Sequence, residues 1–275
     1  MPATPPRTHG TPVRRRRGFA AVALVAAAVA AVCLLAALHP WTDAAAPVTA
    51  TAEESTSGVI APRPLALPDQ PRVLIFGDSW TYGSAASLPT LGYAYVLGER
   101  LDWQSTVDGV RGSGYLKPGL DGGTYGERIA ALDPGLDPDL IIVEGSINDR
   151  RLPAEGYREA VSAAWDALAA LYPAASVVIM GPAPQVLPVE EATARIDADL
   201  AALAAERGWW YVSPIAEEWI TTENYTEVID TTIGRYHPST AGHAYLATRL
   251  AEAIAAMGDE APVIADAPHE GPSTP

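Results

Sequence analysis

Residues 73–83 read VLIFGDSWTYG, an apolar run that passes directly into a turn containing glycine and serine. Four consecutive apolar residues, Val73 to Phe76, are typical of a strand buried on both faces of a parallel sheet. Gly77 permits a tight exit from that strand, and the hydroxyl of Ser79 then lies at its carboxyl end. Ligands of open α/β sheets bind at the carboxyl ends of the strands, so this stretch predicts both the type of sheet and the place of a site.

The rest of the central segment alternates short apolar runs with longer amphipathic ones, which predicts a three-layer α/β domain with a mainly parallel sheet. The predicted strands cover residues 72–76, 103–107, 140–143, 176–180 and 210–212. The predicted helices cover residues 92–101, 126–132, 154–171, 189–207 and 239–257. Pro238, Ser239 and Thr240 form a predicted N-terminal cap for the last of these helices.

Three further loops carry the polar groups that an acyl-transfer site needs. The glycine-rich residues 109–114 follow the second strand and offer bare backbone N–H groups. Asn148 follows the third strand, and His237 stands just before the last helix. With Ser79, these loops supply a nucleophile, a base and hydrogen-bond donors for an oxyanion.

This order of motifs resembles the GDSL family of serine hydrolases, also called SGNH hydrolases, over residues 72–258. The motifs that carry the resemblance are GDSWTYG at 77–83, DGVRGSG at 108–114, SIND at 146–149 and HPSTAGH at 237–243. The resemblance implies that Ser79 is the nucleophile and first oxyanion donor and that His237 is the general base. It implies two further oxyanion donors, the backbone N–H of Gly112 and the side-chain amide of Asn148. It also implies a flavodoxin-like sandwich with a five-stranded parallel sheet, and no metal or cofactor.

The sequence departs from the family pattern beside the histidine. The family's triad acid stands three residues before the histidine, where this chain has Gly234. Asp230, seven residues before His237, reaches the imidazole only if residues 231–236 bulge out as a loop. Otherwise a backbone carbonyl orients the ring and the site is a Ser–His dyad. Both arrangements stay open, with Asp230 as the candidate catalytic acid.

Residues beside the motifs have competing interpretations. His243, six residues after His237, is expected to face solvent or pack locally in the last helix. Asp78 and Asp149 are interpreted as hydrogen-bonding braces for their loops rather than as a pair of acid–base carboxylates. Trp80, next to the nucleophile, is expected to line the substrate pocket.

The N-terminus predicts a membrane segment. Residues 1–18 form a basic stub that contains four consecutive arginines, and residues 19–38 hold no charged residue. Twenty such residues are long enough to cross a bilayer as a helix, and the arginines place the stub in the cytoplasm. We therefore expect a membrane anchor with the following domain outside the cell membrane. A cleaved secretory signal is the alternative.

The remaining boundaries follow from composition. Residues 39–71 and 259–275 are rich in proline and alanine, and we expect a disordered tether and a disordered tail that flank the domain at 72–258. The chain has 33 acidic and 18 basic residues and a net charge of −15. Five of the basic residues lie before residue 39, so the exported part is still more acidic. Such a surface is a poor partner for nucleic acid.

These observations predict an extracytoplasmic serine esterase that acts on a small-molecule or glycan ester. A polysaccharide O-acyl esterase or an acyltransferase of the cell envelope remains an alternative, as does a catalytically silent binding domain with the same fold. The acyl chain, the alcohol and the oligomeric state stay open.

Overall fold

Five parallel strands form the centre of the structure, a computed structural model that describes residues 60–259. The strands are β1 (Arg72–Gly77), β2 (Gln104–Gly109), β3 (Leu140–Glu144), β4 (Ser176–Met180) and β5 (Trp210–Val212). All five were predicted, and their ends differ from the predicted ones by no more than two residues. The predicted α/β fold with a parallel five-stranded sheet is therefore confirmed.

The strand order β2-β1-β3-β4-β5 fixes where a site can form. β1 lies in the interior of the sheet, with β2 paired on one side and β3 on the other. From β1 the chain continues to β2 on one side, whereas from β3 it continues to β4 on the other side. A crevice therefore opens between the carboxyl ends of β1 and β3. The loops that carry Ser79 and Asn148 begin at these two ends.

Seven α-helices accompany the sheet within residues 60–259. They are α1 (Ser79–Tyr82), α2 (Tyr93–Arg100), α3 (Tyr125–Ile129), α4 (Tyr157–Leu171), α5 (Glu191–Arg207), α6 (Tyr225–Val228) and α7 (Thr240–Asp259). Short 3₁₀ turns occur at Pro89–Leu91, Pro134–Leu136 and Ile147–Arg151. The five predicted helices are present, whereas α1 and α6 were missed because four residues are too few to show a helical period.

Two helix boundaries show how local residues set an end. α4 begins three residues later than predicted because Gly156, at φ 76°, is left-handed and precedes the first helical residue. The predicted cap of α7 is present, since the hydroxyl oxygen of Ser239 accepts a hydrogen bond from the Gly242 N–H at 2.9 Å.

The sheet separates two apolar cores, as expected of three layers. Helices α2 and α7 cover one face, where Leu97 and Leu250 pack against Ile75 and Ile142. Helices α3, α4 and α5 cover the other face, where Trp165 is wholly buried. Alternate residues of each strand face the two cores, so the β1 run is apolar throughout.

Residues 60–71 correct part of the predicted tether. They have no regular secondary structure, but they lie against the domain rather than apart from it. The Leu65 N–H donates to the Met257 carbonyl at 2.9 Å, and the Trp210 indole N–H donates to the Arg63 carbonyl at 2.8 Å. Leu65 and Leu67 also pack on the core beside α7, and burial of these two side chains gives the segment a reason to dock.

Within residues 60–259, no helix has the length and apolar character needed to cross a membrane. The predicted membrane segment at 19–38 lies outside the described residues, together with the basic stub at 1–18 and all but the first residue of the predicted tail. These assignments stay predictions.

Candidate active site

Ser79 is delivered to the sheet edge by a sharp strand-to-helix turn. It is the first residue of α1, and the Asp78 carboxylate caps that helix by accepting from the Trp80 N–H at 2.8 Å. Gly77 is required at this turn because a Cβ there would collide with the side chains of Thr81 and Glu144. Ser79 is 5% exposed, and it lines a cleft of about 910 Å³ at the carboxyl edge of the sheet.

His237 faces Ser79 across the floor of this cleft. Its Nε2 lies 2.9 Å from Ser79 Oγ, and its Nδ1 lies 2.7 Å from the carbonyl oxygen of Gly234. A carbonyl only accepts, so Nδ1 carries a proton, and in the neutral imidazole Nε2 is then the nitrogen that accepts from the serine hydroxyl. The pair is therefore at the distance that general-base activation of a hydroxyl requires.

The position of Asp230 corrects its assignment as the triad acid. Its carboxylate accepts from the Thr232 N–H at 2.8 Å and from the Thr232 hydroxyl at 2.7 Å, and these bonds lower the pKa of Asp230. The Gly234 carbonyl, the other arrangement that the sequence left open, occupies the place beside Nδ1. A Cβ on Gly234 would lie 2.6 Å from that of Ala85 and 2.7 Å from that of Asp230, so the usual acid of the family has no room here.

Two backbone N–H groups are placed to receive a developing oxyanion. In the described part of the chain, neither the N–H of Ser79 nor that of Gly112 donates to a protein acceptor. Both residues line the cleft. Gly112 has a left-handed backbone, with φ 75°, which only glycine adopts at little cost.

Asn148 lines the same cleft, but its amide already has partners. Its Nδ2 donates to the Asp78 carboxylate at 2.7 Å and to the Ser113 carbonyl at 3.0 Å. An amide nitrogen has two protons, so donation to an oxyanion requires that one of these bonds be shared or exchanged. The longer bond, to Ser113, is the one more easily given up.

Arg128, which the sequence did not single out, ties three of the loops together. Its guanidinium donates to the Gly77 carbonyl at 2.9 Å, to the Ser113 hydroxyl at 2.8 Å and to the Asp108 carboxylate at 2.8 Å. It also lies 4.1 Å from the centre of the Phe76 ring and is buried. A planar fork of donors can hold several acceptors at once, so Arg128 fixes the ends of β1 and β2 relative to the glycine loop. The helix that carries it reads YGERI and also contains Glu127, so the sequence offered no signal that singles out Arg128.

A second group that the sequence missed is the Glu144 carboxyl, which contacts the residues on either side of Ser79 and Trp80. Its Oε2 accepts from the Asp78 N–H at 3.1 Å and from the Thr81 hydroxyl at 3.0 Å. Burial and the nearby Asp78 charge raise the pKa of Glu144 well above its usual value. Burial also raises the pKa of Asp78, and the hydrogen bond from the Trp80 N–H acts against that rise. Glu144 is therefore the protonated member of this buried pair.

The neighbouring residues divide into confirmed and corrected predictions. Asp149 is a brace as predicted, because its carboxylate accepts from the N–H groups of Tyr115, Leu116 and Lys117. Trp80 does not line the cleft, since its side chain points into the core beside α2 and α7 and the residue is 2% exposed.

His243 packs locally and is wholly buried, away from the nucleophile. Its Nδ1 accepts from the Tyr93 N–H at 3.2 Å, and its Nε2 lies 3.0 Å from the Ser84 carbonyl. Burial lowers the pKa of His243 to about 4. This histidine is therefore neutral and serves the structure, and of the two histidines in the domain only His237 contacts Ser79.

Comparison with known proteins assigns the chain to a family. A GDSL lipase of Mycobacterium tuberculosis is 29% identical over 194 residues, which cover 66% of this chain and 80% of that protein. The M. smegmatis aryl esterase has a similar fold, with a TM-score of 0.52 and 19% identity over 67% of this chain and 98% of that one. A carbohydrate acetylesterase family member from Sinorhizobium meliloti gives a TM-score of 0.52 and 17% identity over 68% of this chain and 99% of that one.

The family model matches over most of the domain described above, including all four loops of the site. It is the model of the GDSL-like Lipase/Acylhydrolase family, and the match covers residues 75–245. The chain therefore belongs to the GDSL-like lipase/acylhydrolase family, a family of carboxylic ester hydrolases.

Proposed function

We propose that this protein is a serine esterase that cleaves carboxylic esters through an acyl-enzyme on Ser79. The observation that carries the proposal is the 2.9 Å hydrogen bond between Ser79 Oγ and His237 Nε2 at the floor of an open cleft. The free N–H groups of Ser79 and Gly112 support it, because acyl transfer needs donors where the carbonyl oxygen becomes negative.

In the first half of the reaction, Ser79 Oγ bonds to the ester carbonyl carbon while its proton passes to His237 Nε2. The oxyanion receives the N–H groups of Ser79 and Gly112 and one amide proton of Asn148, released from the Ser113 carbonyl. The bond from carbon to the alcohol oxygen then breaks, and His237 Nε2 returns the proton to the leaving alkoxide. The product is an acyl group on Ser79 and the free alcohol.

In the second half, a water molecule replaces the alcohol. His237 takes a proton from the water as its oxygen bonds to the acyl carbon, and the same donors hold the oxyanion. The bond to Ser79 Oγ then breaks, Oγ regains its proton from His237, and the carboxylic acid leaves. The Gly234 carbonyl keeps the proton on Nδ1 throughout, so Nε2 is free to exchange protons in both halves.

We propose further that the domain works outside the cell membrane, tethered by residues 19–38. The uninterrupted apolar run behind four arginines supports this location. An O-acyl ester of a cell-envelope polysaccharide is a natural substrate class for such an enzyme. The likeness in fold to a carbohydrate acetylesterase family member is in keeping with it.

The test is turnover of 4-nitrophenyl acetate by the full chain, with labelling by a fluorophosphonate probe. We expect Ser79→Ala to abolish labelling, and both Ser79→Ala and His237→Ala to lower kcat by about 10⁴-fold or more. Ser176→Ala, at the opposite end of the sheet, is the matched control and should label and turn over normally. An unlabelled wild-type protein without turnover would instead favour a silent binding domain. Product analysis with a sugar acceptor present separates hydrolysis from acyl transfer.

A further inference from the structure

The charges around the cleft oppose those of the rest of the protein. Residues 60–259 contain 13 basic and 27 acidic side chains. Five of the basic residues line the cleft, against a single acidic one, Asp230. The five are Arg111, Lys117, Arg150, Arg151 and Arg235. More than a third of the basic residues of this acidic domain thus line one cleft.

Three of these cations have no carboxylate partner in the described part of the chain. Arg111 pairs with Asp121 at 2.7 Å and Arg150 pairs with Glu190 at 2.7 Å, so their charges are largely balanced. Lys117, Arg151 and Arg235 take part in none of the ion pairs found within residues 60–259. Their charges are available to a ligand in the cleft.

The three cations stand on different walls around the reacting atoms. Lys117 belongs to the glycine loop, and a Cβ placed on Gly112 would lie 3.8 Å from its Nζ. Arg151 ends the 3₁₀ turn that carries Asn148. Arg235 follows Gly234, whose carbonyl orients His237, and it lines the cleft from this third loop. A substrate seated over Ser79 is therefore surrounded by positive charge.

We propose that this cleft selects esters that carry a negatively charged group, a carboxylate or a phosphate, close to the scissile bond. The inference rests on the proposed esterase function and specifies its substrate class. A neutral ester needs no cations at the site. An anionic ester approaching a protein with this excess of acid needs a local field of the opposite sign, which a cleft lined with one sign of charge supplies.

The test compares matched pairs of esters that differ by one negatively charged group, a phosphate or a carboxylate. The first pair is 1-acetylglycerol 3-phosphate and 1-acetylglycerol, which places the charge on the alcohol. The second pair is mono-4-nitrophenyl succinate and 4-nitrophenyl butyrate, which places it on the acyl group. We expect kcat/KM of the wild-type protein to favour the anionic member of at least one pair, and that pair identifies which part of the substrate carries the charge.

Charge variants then assign the preference to the cleft. We expect the double variant Arg151→Gln with Arg235→Gln to lower the ratio of anionic to neutral kcat/KM about tenfold. Lys117→Gln should lower the same ratio by a smaller factor. The matched control is Arg63→Gln with Arg100→Gln, which removes two unpaired charges that do not line the cleft and should keep the wild-type ratio.

Two results would overturn the proposal while leaving the esterase function intact. One is a wild-type protein that hydrolyses the neutral esters but prefers the anionic member of neither pair. The other is an equal loss of preference in the cleft variant and in the matched control. If no ester is hydrolysed and Ser79 is not labelled, the esterase proposal fails. The charge proposal is then tested separately, by calorimetric measurement of the binding of glycerol 3-phosphate and of succinate to the Ser79→Ala protein. Binding that weakens about tenfold when the Arg151 and Arg235 substitutions are added supports it, and no binding of either ligand contradicts it.

Discussion

The carbonyl oxygen of Gly234 lies 2.7 Å from Nδ1 of His237, in the place where a carboxylate completes a catalytic triad. Like a carboxylate, it accepts the Nδ1 proton and so fixes the ring orientation and tautomer. Unlike a carboxylate, it is neutral and gives the imidazolium less stabilisation. The site is therefore a dyad whose third member is the backbone of the loop that precedes the histidine.

Asp230 acts on this dyad only through the loop, so its charge should matter little. In Asp230→Asn, the amide oxygen can still accept from the Thr232 N–H and hydroxyl. We expect kcat for 4-nitrophenyl acetate to stay within about tenfold of wild type, whereas loss of a triad acid costs about 10⁴. Asp230→Ala removes the bonds that shape the loop and should lose more activity than Asp230→Asn. A loss near 10⁴ in Asp230→Asn would show that the carboxylate orients the imidazole.

Asn148 should contribute to the transition state more than to substrate binding. An oxyanion exists only after attack, so Asn148→Ala is expected to lower kcat by about 10²–10³ while KM changes little. The free energy of unfolding is measured in parallel, because the same amide also bonds to Asp78 and Ser113. A variant that is less stable yet keeps kcat within about tenfold would reduce Asn148 to a brace for the loop.

The parts of the molecule that the sequence predicted are those with local signatures. The apolar run of β1 and the cap of α7 depend on neighbouring residues, so their positions could be predicted from residue types alone. The orientation of His237 could not, because it depends on a loop in which Arg235 and Tyr236 both have positive φ, at 50° and 66°. Neither residue type signals that conformation. The room beside Gly234 likewise depends on Ala85, a residue distant in sequence.

The sequence also mispredicted which side chains at the edge of the core are buried. Trp80 was expected in the pocket because it adjoins Ser79 in sequence. A residue next to the nucleophile in a helical turn points about 100° away from it, and here that direction leads into the core. Glu144 was missed for the opposite reason, since a charged residue at the end of a buried strand is ordinarily exposed. Its burial follows from the Asp78 N–H and Thr81 hydroxyl that meet it there.

Protonation of Glu144 in the folded protein predicts a pH-dependent gain from an isosteric amide. The pKa of this group is raised on folding, so the folded state holds the proton more tightly and stability falls as pH rises above the unfolded value near 4.5. The amide in Glu144→Gln does not titrate, so the stability of this variant relative to wild type should rise with pH above that value, by about 1.4 kcal/mol per pH unit for as long as the folded wild-type carboxyl keeps its proton. Denaturant unfolding of both proteins at several pH values between about 5 and 8 measures the difference in their free energies of unfolding.

Glu155→Gln is the control for that series, because Glu155 is exposed and the substitution removes the same charge. Its stability relative to wild type should not change with pH in this range. If the stability of Glu144→Gln relative to wild type were equally independent of pH, the pKa of Glu144 would not be raised on folding and its carboxyl would be ionised in the folded protein over this range.

His243 predicts a stability change of the opposite sign. Burial lowers its pKa to about 4 in the folded protein, against about 6.5 when unfolded, so the unfolded chain takes up a proton first as pH falls. The free energy of unfolding of the wild-type protein therefore falls between pH 6.5 and pH 4, by about 3 kcal/mol in total. His243→Asn keeps an acceptor near the Tyr93 N–H but does not titrate, so it should be less stable than wild type at pH 7 and lose that disadvantage as pH falls to 4. Denaturant unfolding of the two proteins at matched pH gives the difference directly. Parallel stability curves over this range would mean that His243 is protonated in the folded state, and its Nδ1 would then be unable to accept from the Tyr93 backbone.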